Sequence, residues 1–184
     1  MTTNEPASTR SRGFEESPAL AAQAADLLRA PRTTFPLSAE DAVLIVNYMR
    51  LVNFPRSTML FREGDDTHSN YMLLLLEGEV SVDSSQGNPH EPPVPISVLG
   101  PGSVIGEMSM IDGAPRSASC TAVSSVLAAG MSRQGLERLL EEHPRAAAHL
   151  LIVIARFTAE RLRAMGDQLQ MYAQINDKLR LEVR

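Results

Sequence analysis

Tryptophan is absent from this chain, and only five phenylalanines and three tyrosines are spread over its 184 residues. Positive charge is thin as well. Against 22 Asp and Glu stand 17 Lys and Arg, giving a net charge of −5 and a pI near 5.4. No broad basic field exists to attract nucleic acid or anionic lipid, so any anion must be held in a local pocket. The single cysteine, Cys120, excludes an internal disulfide and suits a reducing compartment. Its run of small and apolar neighbours, Ala118 to Val123, reads as a buried structural thiol rather than a nucleophile. No apolar run reaches membrane-spanning length. The N-terminal "MTTNEPASTRSRGFEESP" lacks the continuous apolar stretch of a signal peptide, so the expected location is the cytoplasm.

What is present is 43% hydrophobic content, enough for one sizeable core with an appendage. Residues 1–16 are polar and read as a disordered tail. Ser17-Pro18 offers an N-cap with proline at the first helical position, and "ALAAQAADLLRA" runs on until Pro31 stops it. A second helix starts at Ser38, with Asp41 at capping-box-like spacing and Ala42, Leu44, Ile45 and Met49 as its apolar face. The region 17–50 is therefore expected to hold N-terminal helices.

From residue 51 the texture changes to short runs separated by turn signals. Arg62-Glu63-Gly64-Asp65-Asp66 reads as a turn, and Gly78 separates two strand-like halves of "NYMLLLLEGEVSVDS". "QGNPHEPPVP" is assigned to a hairpin loop because its prolines cannot donate to a central ladder. "ISVLGPGSVIGE" and "SASCTAVSSVLAAGM" complete about eight short strands, the spacing of a β-sandwich or jelly roll. Ser132 then caps a helix, "RQGLERLLEEH", with Leu136, Leu139 and Leu140 on one face. The expected class is α+β: a β-roll and its following helix over 51–143, then a long helix over 144–184 opened by Pro144.

That last helix carries heptads. Ala155, Leu162, Leu169, Asn176 and Val183 fall at a, with Thr158, Met165, Tyr172 and Leu179 at d. One alternative is a surface helix packing its stripe on the domain. The stripe outruns what so small a domain can cover, which favours a coiled coil and a parallel homodimer through 155–183.

The chemistry concentrates in "IGEMSMIDGAPRSAS", Ile105 to Ser119. After Gly106 a short helical turn, "EMSMI", has backbone N–H groups to offer an anion, and glycine permits close approach. Gly113-Ala114-Pro115 reverses the chain and returns Arg116, whose planar fork of donors suits phosphate oxygens. Glu107 repels phosphate but suits a sugar hydroxyl. A phosphate and a ribose hydroxyl in one loop describe a compact nucleotide. The bland alternative is a β-turn with a surface Glu–Arg pair, worth little in stability.

The stretch resembles the phosphate-binding cassette of cyclic nucleotide-binding domains. That family includes bacterial catabolite activators, protein kinase A regulatory subunits and gated channels. "REGD" at Arg62 to Asp65, "LEGEVSV" at Leu76 to Val82 and "LGPGSVIGE" at Leu99 to Glu107 extend the likeness, which covers about Phe54 to Asp177. The resemblance implies a cyclic mononucleotide ligand, cAMP or cGMP, and no metal. By it Glu107 takes the ribose 2′-hydroxyl and Arg116 the cyclic phosphate. Ser117 and Ala118 complete the phosphate and base contacts, and Gly106, Met108, Ser109 and Pro115 belong to the binding loop. The family's long helix supplies a base contact, a role Arg161 can fill; a solvated flank of the coiled coil is the other reading of Arg161. Bacterial relatives with Ser after the Arg sense cAMP, which leans the choice towards cAMP.

The chain ends at Arg184, a few residues past the heptads, so no helix-turn-helix and no DNA binding are expected. The expectation is a free-standing sensor that signals to an unknown downstream protein by moving its hinged helices, with Gly135 and Pro144 flanking the hinge. The alternatives are a degenerate, ligand-free dimerisation module and a cyclic-dinucleotide sensor, which would need a further arginine cluster. Catalysis is not expected. His68, His90, His143 and His149 show no metal-ligand spacing and read as surface or loop, and no nucleophile–base pair stands out.

Overall fold

The computed structural model describes residues 11–29, 35–66, 70–84 and 94–182. Pro31, His68, His90 and Val183, and the first ten residues, lie outside the described residues. α1 (Pro18–Arg29) begins on its proline as expected, and α2 (Ala39–Val46) begins on Ser38, whose side chain accepts from the Asp41 amide. Eight strands follow: β1 (Arg50–Phe54), β2 (Met59–Phe61), β3 (Tyr71–Glu77), β4 (Val80–Ser84), β5 (Val94–Leu99), β6 (Val104–Ile105), β7 (Ser119–Ala122) and β8 (Val126–Ser132). α3 (Glu107–Asp112) sits between β6 and β7, and α4 (Arg133–Glu142) and α5 (Pro144–Glu182) close the chain.

The strands form two antiparallel four-stranded sheets, β1-β8-β3-β6 and β2-β7-β4-β5, the jelly-roll sandwich the strand spacing predicts. The period of two explains why β3, "YMLLLLE", is apolar without alternation. Leu73 and Leu75 face the sandwich interior with Phe54, Phe61, Val80 and Ile105. Met72, Leu74 and Leu76 face outward against the helices, where Leu28, Ile45, Leu139, Leu150 and Ile154 pack. The first sheet is thus buried on both faces, and α1, α2, α4 and the first turns of α5 form its cover. Gln23 on α1 donates to the Leu76 carbonyl at 3.0 Å, and His149 of α5 meets Asp41 of α2 at 2.9 Å.

Four expectations need correction. Residues 11–16 are not a loose tail: Arg12 bridges Leu51, and Phe14 is buried in a short 3-10 turn. One aromatic among polar neighbours leaves no periodic signal, yet it anchors the segment. Pro95 belongs to β5, paired opposite Asp83, instead of a loop. β5 is an edge strand of its sheet, and an edge tolerates a residue without an amide donor. Leu140 is exposed while Leu136 and Leu139 are buried, because the face of α4 turned to the core is narrower than its apolar stripe. His149 is half-buried in its contact with Asp41 and is not a surface residue.

Candidate functional site

β6 runs directly into Gly106, whose φ of +76° lets the chain turn sharply into α3. Gly113, at φ +72°, ends that helix, and its amide bonds the Ser109 carbonyl. The Asp112 side chain then accepts from the Ala114 amide at 2.9 Å and sets the turn before Pro115. Arg116 is fastened at its backbone to the 62–66 turn: its amide donates to the Asp65 carbonyl at 3.0 Å, and its carbonyl accepts from the Gly64 amide at 2.8 Å. The "REGD" turn and the arginine are therefore two halves of one structure, distant in sequence and adjacent in space.

The Arg116 side chain points inward and is 4% exposed. Nη1 donates to the Gly106 carbonyl at 2.8 Å and Nη2 to the Tyr71 carbonyl at 2.9 Å. Its Cζ lies 3.9 Å from the Phe61 ring centroid and 5.1 Å from that of Tyr71. Burial pulls the guanidinium below its ordinary pKa, and the fields of Tyr71, Cys120, Asp65 and Glu107 oppose that pull. The role of Gly106 differs from the sequence expectation. A Cβ there would lie 2.5 Å from Arg116 Nη1 and 2.8 Å from Phe61 Cζ. The missing side chain makes room for the arginine and the ring.

Glu107, at the start of α3, is 1% exposed. Its Oε1 accepts from Nη1 of Arg161 at 2.5 Å, and Nη2 of Arg161 also bonds the Val104 carbonyl. A buried carboxylate needs such a partner, since desolvation is not recovered otherwise. Arg161 belongs to α5, so the last helix reaches into the cassette and holds its acid. The family resemblance offers Arg161 as a base contact and the heptads offer it as a solvated flank; the structure gives it Glu107 and Val104 as partners. A second tie runs from α4: Arg133 Nη2 donates to the Ser109 carbonyl at 3.2 Å.

Among the other residues expected at the site, Ser109 is buried, and Met108, Pro115 and Ser117 are exposed around the loop, with Ala118 half-buried. The Ser117 hydroxyl touches Met108 sulfur at 3.7 Å. Phe61, Tyr71 and Arg133 are the neighbours that sequence reasoning missed. Cys120 is buried on β7 near this cluster, and burial pushes its thiol up to about 12. Among the described residues, no group of three or more His, Cys, Asp or Glu side chains is arranged to hold a metal ion. No described helix is long and apolar enough to cross a membrane.

A glycine-bounded turn, a buried acid and a buried arginine on one β-roll match a known sequence profile, described as the cyclic nucleotide-binding domain, over residues 51–143. The chain belongs to that family. Its members are nucleotide-binding regulatory domains and not enzymes. The crystal structure of a cyclic nucleotide-binding domain from Methylobacillus flagellatus is 32% identical, covers 87% of this chain and 86% of its own, and superposes with a TM-score of 0.77. A CRP-like cAMP-activated global transcriptional regulator of Mycobacterium tuberculosis is 29% identical over 125 residues, 68% of this chain and 52% of that protein. A cAMP-dependent protein kinase regulatory subunit of Emericella nidulans is 28% identical over 104 residues, 56% of this chain and 24% of its own. The chain spans about half the length of the first of these two regulators and a quarter of the second.

Proposed function

We propose that this cyclic nucleotide-binding domain is a sensor of a cyclic mononucleotide, cAMP or cGMP. In this reading Glu107 accepts the ribose 2′-hydroxyl and Arg116 holds the cyclic phosphate. The observation that carries the proposal is the Glu107–Arg161 pair. The carboxylate suited to the ribose is the same group that holds α5, so a ligand hydroxyl on Glu107 changes what the helix is attached to. A ligand shifts a conformational equilibrium only by its differential affinity for the two arrangements, and here that difference is made at one carboxylate. Arg133 on Ser109 gives α4 its own hold on the cassette helix, so both C-terminal helices follow it. The output is then a movement of α4 and α5 presented to a protein partner, with the exposed stripe of α5 pairing a second copy.

Thermal-shift titration with cAMP and cGMP tests the reading. Saturating ligand at about one hundred times Kd adds roughly 2.7 kcal/mol of stability. The shift is expected in the wild type and lost in Arg116→Ala. Equal shifts in both proteins remove the phosphate contact from the proposal, and no shift with either nucleotide leaves the ligand-free dimerisation module as the better account.

A further inference from the structure

We propose that Phe61 and Tyr71 are positioning residues that form an aromatic corner around the Arg116 guanidinium and orient it for phosphate. This rests on reading the pocket as a cyclic-mononucleotide site. The chain has eight Phe and Tyr in all, five and three, and two of them converge on one arginine. The separations from Cζ to the two rings, 3.9 and 5.1 Å, and between the rings, 5.2 Å, make a triangle whose short side joins the guanidinium to Phe61. The guanidinium therefore lies closest to Phe61, with Tyr71 flanking both, and is not sandwiched between the rings.

The corner is braced from both sheets. Phe61 ends β2 and Tyr71 begins β3, so the rings join the two layers at the point where the arginine enters. The Tyr71 hydroxyl donates to the Leu60 carbonyl at 3.4 Å, and the Tyr71 carbonyl itself takes Nη2 of Arg116. Gly106 completes the enclosure from below. A cation desolvated to this degree gains more from ring faces than an exposed one does. With rings beside its carbon and carbonyls on Nη1 and Nη2, the guanidinium is fixed in place, and in this proposal its remaining N–H capacity is what an incoming phosphate engages.

The test uses the full chain, with cAMP as the probe, and Phe61→Leu and Phe61→Tyr as variants. Ring currents should move the Arg116 side-chain NMR signals upfield in ligand-free wild type. The displacement should collapse in Phe61→Leu and persist in Phe61→Tyr. Calorimetry with cAMP should show Phe61→Leu weakened about three- to thirtyfold, with Phe61→Tyr restoring most of the affinity. Undisplaced Arg116 signals in the wild type overturn the inference, and that readout decides even if Phe61→Leu does not fold. Wild-type affinity in Phe61→Leu overturns the inference alone. A wild type that binds neither cAMP nor cGMP overturns the pocket reading beneath it.

Discussion

Gly106 and Gly64 share a left-handed backbone, at φ +76° and +78°, but not a neighbourhood. A Cβ at Gly64 meets nothing within 4 Å, whereas at Gly106 it meets Arg116 and Phe61. Gly64→Ala is expected to cost about 1–2 kcal/mol of backbone strain. Gly106→Ala adds overpacking of roughly 1–3 kcal/mol and displaces Arg116, so its cyclic-nucleotide affinity should fall as well. Urea denaturation of the two variants measures the difference. Cys120 makes a second prediction at this scale. Burial raises its thiol from an ordinary 9.0 to about 12, so folding favours the protonated form. Its contribution is intact below about pH 9 and is lost as pH rises from there towards 12, at up to about 1.4 kcal/mol per unit. Cys120→Val should flatten the stability profile between about pH 9 and 10, below the range in which Tyr71, also raised by burial, begins to act. Legibility at this scale was uneven for a physical reason. Glu107, Arg116 and their glycines announce themselves because charge and turn chemistry are written at fixed local spacing. Phe61 and Tyr71 read only as strand residues, since their meeting at Arg116 is created by the packing of two sheets.

The elements around the site are coupled by a few side chains. Arg161 joins α5 to α3, and Arg133 joins α4 to α3. A double-mutant cycle over Glu107→Gln and Arg161→Met should yield a coupling of about 1–3 kcal/mol. The lower half of that range is favoured because the Arg161 side chain is 35% exposed and partly screened. The expected measurement is denaturant unfolding of the ligand-free protein; additivity within about 0.5 kcal/mol would dissolve the tie. Element existence was largely readable: the Ser38 and Ser132 caps, Pro18 and Pro144 at helix starts, and the turn glycines all lie where the sequence puts them. Pro95 was not, because whether a proline fits a strand depends on that strand's place in the sheet, which is settled by topology. Gly135 shows the same limit. It reads as a candidate hinge, yet a Cβ there would sit 3.1 Å from the Tyr48 carbonyl and 3.1 Å from Met131 sulfur. Close packing of α4 on the sheet accounts for that glycine.

For the whole molecule, the telling surface is the distal half of α5. Leu162, Met165, Leu169 and Tyr172 are 71%, 52%, 68% and 66% exposed, on the a and d positions read from the sequence. If the proposed parallel pairing holds, light scattering should give twice the 20.0 kDa chain mass. Leu162→Glu with Leu169→Glu should return the single-chain mass while leaving the melting of the β-roll nearly unchanged, since neither side chain is buried within the protomer. A single-chain mass for the wild type would remove the dimer. Pro144 bears on how this surface moves. The residue before a proline is kept out of helical geometry, and His143 sits at φ −141° and ψ 65°. α4 and α5 therefore meet at a permanent pivot and cannot merge into one rod. Arg161 lies about 26 Å along the helix from that pivot and Glu182 about 57 Å. If the proposed movement of α5 turns about this point, the helix is a lever with the candidate site pulling near its middle. On that reading each ångström of sideways travel at Arg161 would become about two at the far end, and the tip would report the pocket at roughly double gain.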